Sequence, residues 1–291
     1  MKTTIPCTIA WAFLVAGVAP AVGAEAAPAG EHTLVLHLRS RVESPKGSGK
    51  FDVLTREARW DARKTAIVLC DMWDKHWCKG ATDRVAEMAP RMNEVIVAAR
   101  NKGVLILHAP SGTLGAYQDT PQRKLARQAP AVKPKVPLQG WCSLDRKREP
   151  ALPIDDSDGG CDCQPRCPGG APWKGQIATL KIEPGDAVTD SAEAYYLLQQ
   201  RGIDNLIVMG VHTNMCVLGR PFGIRQMVYQ GKNVVLMRDM TDTMYNSRRA
   251  PKVSHFRGTD LIVEHVEKYW CPTVTSSDLA AGPAFRFKDD R

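Results

Sequence analysis

The sequence has few of the features that mark membrane-spanning, fibrous or nucleic-acid-binding proteins. Beyond the N-terminal segment, no stretch of the 291-residue chain approaches the roughly 18 apolar residues that a membrane-spanning helix requires. Aromatic residues are only 7% of the chain, and the excess of 39 Lys and Arg over 31 Asp and Glu is scattered rather than gathered in a basic stripe. We therefore expect a globular protein with no nucleic-acid or membrane partner, and the 44% hydrophobic content is ample for a packed core.

The first 24 residues are typical of a secretory signal peptide. Lys2 is the only charged residue in this segment, an apolar stretch runs from Ile9 to Val18, and small residues precede the predicted cleavage site after Ala24. A membrane anchor is less favoured, because the apolar stretch is short and Pro20 interrupts it. The mature protein would be periplasmic or secreted, with eight cysteines and a net charge of +7 from 38 basic and 31 acidic residues.

The rest of the chain divides by its residue pattern into a hairpin, a larger domain and a tail. Alternating apolar and polar residues in Thr33–Arg39 and Phe51–Ala58, joined by a turn-rich loop, predict a β-hairpin. From residue 64 onward, apolar strands alternate with helical patterns. We expect a signal peptide (1–24), a leader with the hairpin (25–63), one α/β domain (64–276) with an insert (131–175), and a C-terminal tail (277–291).

The larger domain begins with a β-α-β unit, the building block of a parallel sheet. Thr65–Cys70 is a continuous apolar run that suits a strand buried on both faces, and a helix over Val85–Ala99 and the strand Val104–His108 follow. The pattern resumes after the insert with helix Ser191–Arg201, strand Leu206–Gly210, helix Cys216–Gln230, strand Val234–Asp239 and helix Thr259–Tyr269. This order predicts a Rossmann-like three-layer α/β/α sandwich with a doubly wound, mostly parallel sheet.

The insert differs in composition from the domain around it. Residues 131–175 contain 7 Pro, 6 Gly and 4 Cys, the cysteines being Cys142, Cys161, Cys163 and Cys167. Long loops without regular structure are usually functional or cross-linked. Export favours two disulfides here, but the C-x-C-x3-C spacing also allows a metal site, although the insert has no histidine.

Two strand ends carry the residues that could perform chemistry. Asp71 directly follows the first apolar strand, and Cys216 follows the strand Leu206–Gly210 at the start of a predicted helix. A helix start stabilises a thiolate, and a facing carboxylate could take the thiol proton. The two ends are neighbours if the first strand is central. The alternative is that Cys216 is a small buried residue and Asp71 a helix cap.

The order of these features resembles the isochorismatase-like cysteine hydrolase family. The matching residues are strand-terminal Asp71, the PGD turn of Pro184–Asp186, the stretch SAEAYYLLQQRGIDNLIVMGVHTNMCV that contains Cys216, and the later VVLMRDMTD. The resemblance extends from Thr65 to Thr275, excluding the insert. It implies a Rossmann-like fold, an Asp–Lys–Cys triad, and hydrolysis of small substrates such as nicotinamide or N-carbamoyl compounds.

Carried over residue by residue, the resemblance makes Cys216 the nucleophile and Asp71 the general base. The backbone N–H groups of Met215 and Cys216 would form the oxyanion hole, next to a cis peptide bond near Val211–His212. Trp73 and His212 are candidates for lining the substrate pocket. The partner is then a small-molecule substrate, and the chain could also form homo-oligomers.

The sequence departs from the family pattern at the lysine. No lysine follows the PGD turn within a few residues, and Lys181, the nearest, precedes it. Either Lys181 serves from a shifted position, or the chain is a non-catalytic secreted binding or scaffold protein. Thiol-redox chemistry is a third alternative, with Cys78 as the resolving cysteine.

The remaining expectations concern two arginine side chains and the binding of a metal ion. Arg220 and Arg225 are expected on an exposed helix face, although they could bind a substrate carboxylate. The family's D-x-H metal motif is absent, because His108 to Ser111 occupy that place, so no metal and no cofactor are expected at this site.

Overall fold

The computed structural model describes Met1 and residues 30–290. The signal peptide predicted over residues 1–24 therefore lies, apart from Met1, outside the described residues. No helix of the described chain has both the length and the apolar character needed to cross a membrane.

The described residues form strands and helices in an alternating order after an N-terminal hairpin. The strands are β1 (Thr33–Glu43), β2 (Phe51–Asp61), β3 (Thr65–Cys70), β4 (Leu105–Ala109), β5 (Ala187–Val188), β6 (Asn205–Val211), β7 (Asn233–Asp242) and β8 (Thr273–Val274). The helices are α1 (Lys79–Asn101), α2 (Pro121–Arg127), α3 (Glu193–Gln200), α4 (Ile224–Tyr229) and α5 (His255–Tyr269).

All eight of these strands lie in a single sheet with the order β2-β1-β8-β7-β6-β3-β4-β5. Strand β3 is paired in parallel with β4 on one side and β6 on the other. The chain therefore winds outward from β3 in one direction and then in the other, which confirms the predicted doubly wound α/β fold. The hairpin is also confirmed, and it joins the same sheet through antiparallel pairing of Arg39 with Thr273.

The central strands are apolar on both faces because helices cover both. Ile67 and Leu69 of β3 pack on one side in a core cluster with α1, while Ala66 and Val68 pack on the other with α3, α4 and α5. Every residue of β3 and of β6 is buried. This is the environment that the continuous apolar run of β3 predicted.

The prediction of one continuous helix over Cys216–Gln230 is wrong. The chain instead makes a π-helical turn, Thr213–Val217, and then a separate helix, α4. Pro221 lies between them and has no N–H for a helical hydrogen bond. The Gly223 backbone is also crowded, because a Cβ there would lie 2.8 Å from the Val217 carbonyl oxygen. The break places Cys216 in a short π-helical turn rather than at the start of a long helix.

Close approach of β3 and β6 explains a glycine at the end of β6. Gly210 has φ of +110°, and a Cβ there would lie 2.1 Å from the Cys70 carbonyl oxygen. Gly185 has a similar φ of +92°, but a Cβ there would have no atom within 4 Å. Gly210 therefore allows the two strand ends that precede Asp71 and His212 to lie side by side.

We expect Gly210→Ala to destabilise the fold far more than Gly185→Ala. The Gly185 variant carries only the backbone strain of about 1 kcal/mol, whereas the Gly210 variant adds a clash with backbone and should cost about 3 kcal/mol or more. Urea unfolding of both variants measures the two free energies. Equal losses would show that the strands do not approach as closely as described.

The insert is anchored to the domain by a buried carboxylate. Glu149 accepts hydrogen bonds of 2.7 Å each from Arg225 Nε, His265 Nε2 and Trp270 Nε1. Burial opposes the charge of Glu149, but these hydrogen bonds outweigh it and lower the pKa of Glu149 to about 2. The prediction that Arg225 lies on an exposed helix face is wrong, because its side chain is buried against this carboxylate.

The structure does not show the disulfides predicted in the insert. All eight cysteines of the described chain are free thiols. Cys142 is buried on its own, where its N–H donates to the Gly219 carbonyl oxygen at 2.6 Å. The other three insert cysteines, Cys161, Cys163 and Cys167, converge on Cys78 at the start of α1. Cys78 therefore contacts the insert cysteines. It was considered above as the resolving cysteine for Cys216 in a thiol-redox reaction.

Candidate active site

Asp71 is held at the end of β3 with its carboxylate fully buried. Its φ of +48° lies in the left-handed region, which is uncommon for residues other than glycine and is tolerated best by Asp and Asn. The Ser111 N–H, from the loop after β4, donates to Asp71 Oδ1 at 2.8 Å. The turn and this hydrogen bond fix the direction of the side chain.

Cys216 lies opposite, in the π-helical turn after β6. As a residue it is half-buried, whereas Asp71 is fully buried. The peptide bond between Val211 and His212 is cis, at the position that the family resemblance implied. The strand order therefore brings Asp71 and Cys216 together at the switch point, as the sequence predicted.

A third charged group, Arg220, completes this cluster. Its Nε lies 3.7 Å from Asp71 Oδ2, and both atoms are buried without a hydrogen-bond partner in the described part of the chain. The Arg220 N–H donates to the Cys216 carbonyl oxygen at 3.0 Å, so the two residues are one helical turn apart. The expectation that Arg220 lies on an exposed helix face is wrong, because the turn directs it inward to Asp71.

Lys181 does not take part in this cluster. It is exposed, and its Nζ donates to the Ala178 carbonyl oxygen at 3.0 Å. The structure thus places an arginine, rather than Lys181, beside the carboxylate and the thiol. The signal in the sequence was the i, i+4 spacing of Cys216 and Arg220, which puts two side chains on the same face of a helical turn.

The three groups influence one another's protonation. Burial, followed by the negative charge of Asp71, raises the pKa of the Cys216 thiol well above its ordinary value, while the charge of Arg220 opposes the rise. Burial also raises the pKa of Asp71, and Arg220 again opposes it. Burial and Asp71 therefore favour the neutral thiol of Cys216, whereas the Arg220 cation favours the ionised form of both groups.

Trp73 forms a wall next to Asp71. Its Nε1 donates to the Ser111 carbonyl oxygen at 3.0 Å, so one loop holds both Asp71 and Trp73. The Trp73 ring stacks on Trp173, at the end of the insert, with centroids 4.5 Å apart. Near the other end of the insert, Trp141 lies 5.8 Å from the Arg220 guanidinium carbon. Residues near both ends of the insert therefore contact side chains of this site.

His212 is buried beside this wall and is uncharged at neutral pH. Burial lowers the pKa of His212 to about 3, and its Nε2 has no hydrogen-bond partner within the described residues. Its ring lies 5.0 Å from that of His76, whose pKa burial lowers to about 4. The positions of Trp73 and His212 suit a lining role, which stays a prediction.

The predicted oxyanion donors differ in their availability. The Met215 N–H already donates to the His212 carbonyl oxygen at 3.0 Å, so it is engaged within the turn. The Met215 side chain packs with the buried thiols of Cys78 and Cys161. The role of the Cys216 N–H as an oxyanion donor stays a prediction.

The PGD turn has a structural part in the fold. Asp186 accepts from Arg100 Nε and Nη2 at 3.0 and 2.8 Å, and its Oδ2 lies 3.1 Å from His108 Nε2. The turn is thereby tied to α1 and β4.

Asp239, which the pattern placed at a strand end, also has a structural role. It accepts hydrogen bonds from Ser276 and from the Phe285 N–H, so it holds the C-terminal tail.

Comparison with known proteins finds solved structures that are similar to this chain. A cysteine hydrolase from Pseudomonas syringae pv. phaseolicola 1448A is 18% identical over 75% of this chain and 92% of that chain, with a TM-score of 0.49. An isochorismatase from Pseudomonas putida KT2440 is 15% identical over 75% of this chain and 91% of that chain, with a TM-score of 0.47. No family model and no curated protein matches the chain. The α/β fold itself is established by the strand order of the sheet.

Proposed function

We propose that this chain is a cysteine-dependent hydrolase that cleaves the C–N bond of a small amide-like substrate. The observation that carries the proposal is the convergence of Asp71, Cys216 and Arg220 at the switch point of the sheet. A nucleophile, a base and a cation in one partly enclosed site are the groups that acyl transfer to a thiol requires.

In the proposed reaction, Asp71 accepts the Cys216 thiol proton as the sulfur attacks the substrate carbonyl carbon. The new C–S bond gives a tetrahedral oxyanion, which the Cys216 N–H would stabilise. The C–N bond then breaks, and Asp71 returns the proton to the leaving nitrogen. Water, deprotonated by Asp71, hydrolyses the thioester and releases the carboxylic product and the free thiol.

Arg220 has an electrostatic part in this proposal. A guanidinium does not release its proton at ordinary pH, so it cannot act as an acid. Its charge opposes the rise in the pKa of Cys216 and so favours the thiolate, and it likewise favours the ionised form of Asp71, which is the form that accepts the proton. Arg220 Nε and Asp71 Oδ2 are both buried without a hydrogen-bond partner among the described residues, so each retains capacity for one further polar contact.

The test is ammonia release from a substrate panel. The panel contains nicotinamide, aliphatic primary amides and N-carbamoyl amino acids, each incubated with the purified protein and with Cys216→Ala as the control. The proposal expects release from at least one class by the wild type alone. Equal release by both proteins, or none across the panel, would favour the non-catalytic binding protein.

The proposal includes export, supported by the signal-like pattern of residues 1–24. Expression of the full chain in a Gram-negative host, followed by fractionation, measures it. A periplasmic product that begins at residue 25 is expected. A full-length cytoplasmic product would contradict export but would leave the hydrolase proposal intact.

A further inference from the structure

Four cysteines from two separate parts of the chain meet beside the candidate active site. The Sγ atoms of Cys78, Cys161, Cys163 and Cys167 all lie within 4.8 Å of one another. Cys78 immediately precedes α1, and the other three come from one short stretch of the insert. Cys78 and Cys161 are buried, while Cys163 and Cys167 are half-buried at the surface of the cluster.

The spacing of the sulfurs fits a shared metal ion rather than pairs of disulfides. The Sγ atoms of Cys78 and Cys163 are 3.8 Å apart. Tetrahedral zinc with a Zn–S distance of about 2.3 Å places its sulfurs about 3.8 Å from one another. A disulfide would bring them to about 2.05 Å. The cluster therefore has the dimensions of a tetrathiolate site.

Backbone donors surround the cluster as they do around metal-bound thiolates. The N–H groups of Lys79 and Gly80 donate to the Sγ atoms of Cys167 and Cys163, each at 3.3 Å. These N–H groups belong to the first turn of α1, where the helix dipole favours negative charge. They would orient the ligands and stabilise the thiolate form.

Positive side chains lie close to the cluster as well. A Cβ on Gly80 would lie 3.3 Å from Cys163 Sγ and 3.0 Å from Arg84 Nη1, so glycine leaves room for both groups. Arg84 donates through Nε to Asp242, and its Nη2 is buried without a hydrogen-bond partner among the described residues. Lys79 lies at the same helix start. Both cations also pair with carboxylates, Lys79 with Asp83 and Arg84 with Asp242, so they would offset only part of the net negative charge of four thiolates around a divalent ion.

We propose that Cys78, Cys161, Cys163 and Cys167 form a structural site for Zn²⁺. Four protein ligands fill the tetrahedral coordination, which is the arrangement of structural rather than catalytic zinc. The ion would fasten the insert to the start of α1, close to Met215 and Trp77, and would thereby hold the insert over the Asp71–Cys216 cluster.

The experiment measures the metal content of the full chain, purified without a histidine tag from zinc-supplemented cells. About one Zn²⁺ per chain is expected in the wild type. The variants Cys161→Ser and Cys163→Ser should retain less than about a tenth of it. Cys142→Ser is the matched control, since it removes a buried cysteine of the same insert that lies outside the cluster, and it should keep the full content.

Two further readouts do not depend on the variants folding. Removing the ion with a chelator should lower Tm by roughly 5–10 °C. Replacement with Co²⁺ should give the thiolate charge-transfer absorption and intense visible bands of a tetrahedral tetrathiolate site. A zinc-free wild type in which the four cluster cysteines resist alkylation under denaturing, non-reducing conditions would overturn the proposal in favour of disulfides. Free thiols that bind neither ion would also overturn it.

Discussion

Replacing Cys216 with alanine is expected to lower turnover of any hydrolysed substrate by about 10³-fold or more. The substitution removes the atom that forms the covalent bond to the substrate carbonyl carbon. Asp71 and Arg220 remain, but they can only polarise water at the same place. Serine is expected to be nearly as inactive as alanine, because a buried hydroxyl beside Asp71 is far less acidic than a thiol.

The control for this experiment is Cys271→Ala. Cys271 is buried in the core cluster that includes residues of α4 and α5, and it has no part in the proposed chemistry. Its loss should reduce stability while leaving kcat/KM of the folded protein within about twofold. Hydrolysis that survives in Cys216→Ala but not in Cys271→Ala would place the reaction elsewhere in the molecule.

The second large effect is expected for Asp71→Asn. Asparagine keeps the shape of the side chain and can still accept from the Ser111 N–H, and it tolerates the left-handed backbone at this position. It cannot accept the thiol proton. We therefore expect kcat/KM to fall by about 10²–10⁴-fold while stability changes little.

Asp74→Asn is the matched control for this loss. Asp74 lies three residues further along the same loop, is exposed, and caps the Lys174 N–H rather than facing Cys216. Its variant should keep wild-type turnover. If the Asp71 and Asp74 variants lost activity equally, the effect would come from the loop and not from the base.

The sequence predicted the part of the fold that follows from apolar periodicity. The bounds of β3 agree residue for residue, and β6 differs by one residue at each end, because both strands are buried on both faces and apolar throughout. The switch point, and with it the meeting of Asp71 and Cys216, followed from taking β3 as central. Short strands such as β5 were missed, since two residues give no periodic signal.

The position of Arg220 and the clustering of Cys78 with the insert cysteines could not be predicted from apolar periodicity. Arg220 was expected on an outer helix face because the predicted helix continued through Pro221, whereas the chain turns there and directs Arg220 inward. The partner of the insert cysteines, Cys78, is more than 80 residues away, as the 85-residue separation of Cys78 and Cys163 shows. Contacts of that range depend on how the insert folds over the domain, which local spacing does not encode.

The most direct test of the Asp71–Cys216–Arg220 cluster is the pH dependence of Cys216 alkylation. Iodoacetamide labelling is followed by peptide mass spectrometry between about pH 6 and 10, the range in which thiols ordinarily ionise. Buried Cys271 serves in each sample as the internal control for unfolding. Since Asp71 raises and Arg220 lowers the pKa of Cys216, the two variants should shift the profile in opposite directions. Asp71→Asn should label faster than the wild type at a given pH, and Arg220→Gln more slowly. Profiles that coincide in all three proteins would contradict the electrostatic coupling on which the proposed hydrolase mechanism rests.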